Sequence, residues 1–72
     1  MRNPERIDDF CERLAKAWKK NIPDWRFGQF MSNMFGEWYA QTHRDPFFPE
    51  DKEMIEFIEK YTNTAGPYRR EE

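Results

Sequence analysis

Covalent chemistry in this chain would fall to one thiol, Cys11, and one imidazole, His43. A nucleophilic cysteine needs a base within hydrogen-bond reach and a third group to orient that base. No serine, aspartate or second histidine is placed to complete such a set. Cys11 lies at helical spacing among Ile7, Leu14 and Trp18, where it reads as a small core hydrophobe. His43 falls at the end of a helical pattern, where an imidazolium is mildly favoured. One histidine excludes two-histidine metal motifs, and one cysteine excludes cysteine-cluster zinc sites and an internal disulfide. The chain is therefore read as non-enzymatic, with no catalytic residue, no metal site and no cofactor.

Charge offers two further candidates. Glu50, Asp51, Glu53, Glu56 and Glu59 form an acidic run that could hold a cation or mimic phosphates. A calcium loop needs a central glycine among alternating oxygen ligands, and none lies between Gly36 and Gly66. The simpler reading is a solvated helix face whose acids suit the positive end of the helix dipole. Arg6, Arg13 and Lys20 recur every seven residues, a stripe that could track a nucleic-acid backbone. Glu5 and Asp9 interrupt it.

Shape offers the third. Gly28, Ser32 and Gly36 climb one edge of a helical pattern at four-residue spacing. Glycine inside a helix costs about 1 kcal/mol relative to alanine. The useful compensation is close approach by another element, either a helix of the same core or a second chain. Trp25 stands beside this edge, Tyr39 flanks it, and Phe47 and Phe48 fall on no core face. Exposed contiguous aromatic surface often marks an interaction site. Trp25, Gly28, Ser32, Gly36, Tyr39, Phe47 and Phe48 are thus the candidate partner-binding residues, with the acidic run at the rim. The alternative for the loop is that Phe47 or Phe48 folds back to cap the core.

Three helical segments must position these groups. The first opens at Asn3, a good cap, with Pro4 in the first turn. Ile7, Phe10, Cys11, Leu14, Ala15, Ala17 and Trp18 share one arc. Lys19 and Lys20 suit its C-terminal end, and Asn21 and Pro23 stop it. The second runs from about Trp25 to Thr42, with Asp24 as cap and Gly36 as a place to kink. The third carries Met54, Ile55, Phe57, Ile58 and Tyr61 on its apolar face. Asp45-Pro46-Phe47-Phe48 reads as an extended link. Thr62 to Glu72 lacks an apolar period and reads as loose. The expected fold is all-α: a compact three-helix domain over 3–61 with a flexible C-terminal tail over 62–72. Its expected core is Ile7, Phe10, Leu14, Trp18, Phe27, Phe30, Met31, Met34, Trp38, Met54, Ile55, Phe57 and Ile58.

Bulk properties bound the function. Seventy-two residues make one small domain. A net charge of −2 disfavours broad nucleic-acid binding, which needs a basic surface. Residues 1–44 carry eight basic and six acidic residues, while 45–72 carry four and eight. No apolar run reaches the roughly 18 residues of a membrane span, and the start is charged rather than leader-like. The expected location is the cytoplasm. Thirteen aromatics, from three Trp, three Tyr and seven Phe, are many for this length.

The pattern Asn3-Pro4-x-Arg6-Ile7, then Trp18, then Pro23-Asp24-x-Arg26-Phe27-Gly28-Gln29, then Asp45-Pro46-Phe47-Phe48-x-Glu50-Asp51 resembles short uncharacterised proteins of bacteria and their phages. The resemblance covers residues 3 to 61. It implies a small helical protein inside the cell and carries over no catalytic residue. A phage setting would suit an inhibitor that acts by binding. The leading expectation is a protein–protein interaction module, bound to a partner protein or to its own copy. The alternative is a nucleic-acid-linked protein, either a DNA mimic through the acidic third segment or a weak binder through the basic stripe.

Overall fold

Three helices, α1 (Arg6–Asn21), α2 (Phe27–Thr42) and α3 (Asp51–Arg70), are joined by two short links. The structure, a computed structural model, describes residues 2–70, and of residues 66–70 the backbone alone. The described residues hold no strand. The fold is the expected all-α, compact three-helix domain.

The N-cap of α1 is Glu5, with no side-chain cap bond, rather than Asn3, which shapes the turn before the helix. The Asn3 Oδ1 accepts from the Glu5 amide at 2.9 Å, and its carbonyl accepts from the Arg6 amide at 3.1 Å. Pro4 between them needs no acceptor. The other end is tied down by large rings. Trp25 donates its amide to the Ile22 carbonyl at 3.1 Å, and the Trp18 indole donates to the Trp25 carbonyl at 3.1 Å. These bonds fold the link back under α1, so α2 begins at Phe27 rather than Trp25. Arg26, not Asp24, precedes its first turn and caps it with no side-chain bond. α2 then runs unbroken through Gly36.

α1 and α3 run in the same direction. Polar pairs mark the seam as both numbers rise: Arg2 with Glu50 at 2.9 Å, Arg6 with Asp51 at 3.1 Å, Arg13 with Glu59 at 2.8 Å, Asn21 with Thr62 at 3.0 Å. α2 runs opposite to α3, with Trp25 against Tyr61, Trp38 against Phe57 and Arg44 paired with Glu53. α1 and α2 meet through side chains rather than close backbones. Trp18 fills the gap, edge-on to Phe30 at 5.1 Å and tilted over Phe27 at 6.2 Å. Much of the aromatic content is therefore filler between helices that stand apart.

Ile22, Trp25, Phe30, Met34, Trp38, Met54, Ile55 and Ile58 form the buried centre, with Phe10, Leu14, Trp18, Met31 and Phe57 partly buried against it. Two expected core residues lie outside: Ile7 is 49% exposed and Phe27 61%. Ile22 and Trp25, which the helical pattern did not claim, fill the end of the core next to Phe27. On α1 the inward arc is rotated by roughly half of the 100° step per residue. α3 packs along the Arg6, Arg13 and Ala17 side, which draws Arg13 in and turns Cys11 out. Cys11 is exposed, not a core hydrophobe.

α3 is longer than its apolar pattern suggested. Thr62 is fully buried and Ala65 packs on the core, so the domain continues past residue 61 and the expected tail does not begin at Thr62. The last two residues of that tail, 71 and 72, lie outside the described residues.

Candidate protein-interaction surface

The outward side of α2 carries two adjacent rows at four-residue spacing. Phe27, Met31, Phe35 and Tyr39 form one row, and Gly28, Ser32 and Gly36 form the next. On an α-helix such rows make a ridge and the groove beside it. Phe27 is 61% exposed, Phe35 38% and Tyr39 57%. Gly28, Ser32 and Gly36 are all exposed. A Cβ added at Gly28 or Gly36 would meet nothing within 4 Å. The helix of the same core that might have filled this groove does not approach it.

A second aromatic surface follows α2. His43 adopts the left-handed conformation, with φ 56°, and its amide donates to the Tyr39 carbonyl at 2.8 Å. Few non-glycine residues sit there, and the turn ends α2 with the His43 ring against Tyr39, centroids 5.9 Å apart. The Thr42 hydroxyl donates to the Trp38 carbonyl at 2.8 Å and accepts from the Arg44 amide at 3.0 Å. The Arg44 guanidinium lies 5.3 Å from the Trp38 ring centroid and pairs with Glu53 at 2.8 Å. Asp45 then closes a turn, its Oδ1 accepting from the Phe47 amide at 2.9 Å and its carbonyl from the Phe48 amide at 3.2 Å. The link is a turn rather than an extended stretch, because aspartate before proline favours turn initiation. Phe47 and Phe48 stand at its tip, 81% and 71% exposed, edge to face at 5.0 Å. Neither caps the core.

Trp25 does not belong to this surface. It is 8% exposed, within the core beside Phe30 and Tyr61. Phe27 and Phe35 do belong, although Phe27 was expected in the core. The drift of about 40° between residues four apart turns Phe35 and Tyr39 progressively away from the core, whereas Phe27 is exposed because it stands at the first position of α2.

The acidic run is not a free array. Glu50 pairs with Arg2, Asp51 with Arg6, Glu53 with Arg44, Glu56 with Lys52 and Glu59 with Arg13. The same pairs take two of the three cations in the Arg6, Arg13, Lys20 stripe. Two hydrogen bonds from Arg13 hold the Glu59 carboxyl below its ordinary range, and that carboxylate in turn raises the Arg13 guanidinium. Glu53 raises Arg44 in the same way.

No hydrogen bond joins Cys11 to His43. Among the described residues no group of three His, Cys, Asp or Glu side chains is placed to hold a metal ion. No helix there is long and apolar enough to cross a membrane. A shallow apolar notch of 290 Å³ lies between Ala15, Trp18, Lys19, Pro23 and Trp25. No protein-family model matches the chain, and no match was found to a curated protein or to a solved structure.

Proposed function

We propose that this chain is a non-enzymatic protein-binding module of the cytoplasm. It acts as a small regulator or inhibitor in the bacterial or phage setting that its resemblance implies. The observation that supports this is the exposure of five rings, Phe27, Phe35, Tyr39, Phe47 and Phe48. At about 200 Å² for a whole aromatic side chain, these exposures amount to on the order of 600 Å² of ring surface. It is divided about equally between the α2 face and the loop tip, each smaller than the roughly 800 Å² a partner contributes to a standard interface and of the size of a transient contact. Aromatic anchors of this kind dominate binding energy where they enter a partner's pocket. The acids of α3 are rim groups already engaged with cations, so they tune encounter rather than affinity. The nucleic-acid reading has no observation in its favour, since each acid of the run is paired with a cation and two of the three stripe cations are among those partners.

The test is a photo-crosslinking residue placed at Tyr39 or Phe47 and, as a control, at Lys16, in the cell that encodes the chain. Covalent adducts to a discrete protein from positions 39 or 47, and not from 16, are expected. An adduct pattern identical at all three positions rejects the surface as a binding site.

A further inference from the structure

Resting on the protein-binding reading, we infer that Asp45 is a positioning residue of that surface: it sets the two rings of the loop tip, Phe47 and Phe48, in the arrangement a partner protein meets. Asp45 makes both bonds of the turn. Its Oδ1 accepts from the Phe47 amide at 2.9 Å, and its carbonyl accepts from the Phe48 amide at 3.2 Å. Pro46 lies between them, and its fixed φ suits the second position of such a turn. One residue thus holds the amides of both exposed rings, which meet edge to face at 5.0 Å.

The turn is not what joins α2 to α3. Arg44 ties the start of the link to Glu53 with two bonds, at 2.8 and 3.3 Å, while Arg2 and Arg6 hold Glu50 and Asp51 at its end. Phe47 and Phe48, 81% and 71% exposed, add nothing to the core. Asp45 forms no ion pair among the described residues, so its carboxylate serves the turn. The two bonds fix the rings before a partner arrives. A group already fixed loses less freedom on binding, which raises affinity without adding a contact.

The free chain gives the first readout. Amide hydrogen exchange at Phe47, followed by NMR, is expected to be about threefold or more slower in wild type and Asp45→Asn than in Asp45→Ala. Asparagine keeps the acceptor oxygen and drops the charge. The three melting temperatures are expected to agree within about 4 °C, as for other surface substitutions. Competition gives the second readout. A chain with the photo-crosslinking residue at Tyr39 is irradiated in an extract of the cell that encodes it, with wild type, Asp45→Ala or Asp45→Asn as competitor. Asp45→Ala is expected to need about tenfold more chain than wild type to halve the adduct. Asp45→Asn is expected to match wild type.

An Asp45→Ala chain that competes as well as wild type overturns the inference and leaves the protein-binding reading standing. Phe47 amide exchange that is equally fast in all three chains does the same. If Asp45→Asn competes as poorly as Asp45→Ala, the charge itself meets the partner, and the positioning role falls. An absence of any adduct to a discrete protein rejects the protein-binding reading, and the inference falls with it.

Discussion

Arg13 grips Glu59 with a fork: Nε donates to Oε2 and Nη2 to Oε1, both at 2.8 Å. The two residues are 46 apart in sequence and join α1 to α3. A lysine cannot reproduce this planar, two-bond geometry. Arg13→Lys is therefore expected to lower the melting temperature nearly as much as Arg13→Gln, a small effect for a pair this exposed. Thermal circular dichroism on the two variants checks it.

The same pair predicts an acid response. The Glu59 carboxyl titrates below its ordinary value of 4.5 when folded. A depressed carboxyl stabilises the fold above its unfolded pKa, and the contribution is lost as pH falls through the lowered folded value. The stability gap between wild type and Arg13→Gln should hold at neutral pH and close below about pH 4.5. A gap that widens in acid contradicts the fork.

Phe30 is fully buried between Trp18 and Trp25. Phe30→Ala is expected to cost about 3–5 kcal/mol. By the usual 0.05–0.15 kcal/mol per residue, a chain of this length has only about 4–11 kcal/mol to lose. The expected readout is a drop in melting temperature of about 15 °C or more.

Trp38 should respond differently. Its indole N–H is buried with no acceptor among the described residues. Trp38→Phe loses ring atoms worth about 1–2 kcal/mol but also removes a stranded donor worth about 1–3 kcal/mol. The net change is expected within about 1 kcal/mol by urea unfolding, far below that of Phe30→Ala.

Where the domain ends is testable by truncation. The Thr62 hydroxyl accepts from Asn21 Nδ2 at 3.0 Å and donates to the Glu59 carbonyl at 3.2 Å. A chain ending at 61 loses this fully buried residue, and is expected to melt well below one ending at 65. Equal melting temperatures would place the boundary back at residue 61.

Cys11 is expected to take one equivalent of a thiol reagent in the native state, at a rate close to that in urea, without change in the circular dichroism. Protection on folding would show that it is buried after all.

The three helices were legible because each repeats its apolar residues at about 3.6. What spacing does not contain is the direction from which neighbours arrive. Ile7 and Cys11 looked inward because α1's arc is broad, and only the packing of α3 along Arg13 decides which part of it is covered. Trp25 looked like surface because it fell off the apolar arc at the start of the second helical pattern, yet the Trp18 indole holds its carbonyl and folds it into the core. The ion pairs were hidden for a related reason. Glu59 lies next to Lys60 in the sequence, and its partner Arg13 is two helices away. Phe47 and Phe48 were legible as surface, since no helical face claimed them, whereas Tyr39 and Gly28 fell within the apolar arc of α2 and are exposed all the same.

The parallel seam between α1 and α3 sets how this chain reaches its fold. Its rungs join residues 41 to 48 apart, so none can form while a single helix winds up on its own. Closing such a span costs entropy before any rung rewards it. Proteins built from long-range contacts fold more slowly than those whose helices touch only their sequence neighbours. In this chain the docking of α3 on α1 is the contact that closes the longest span.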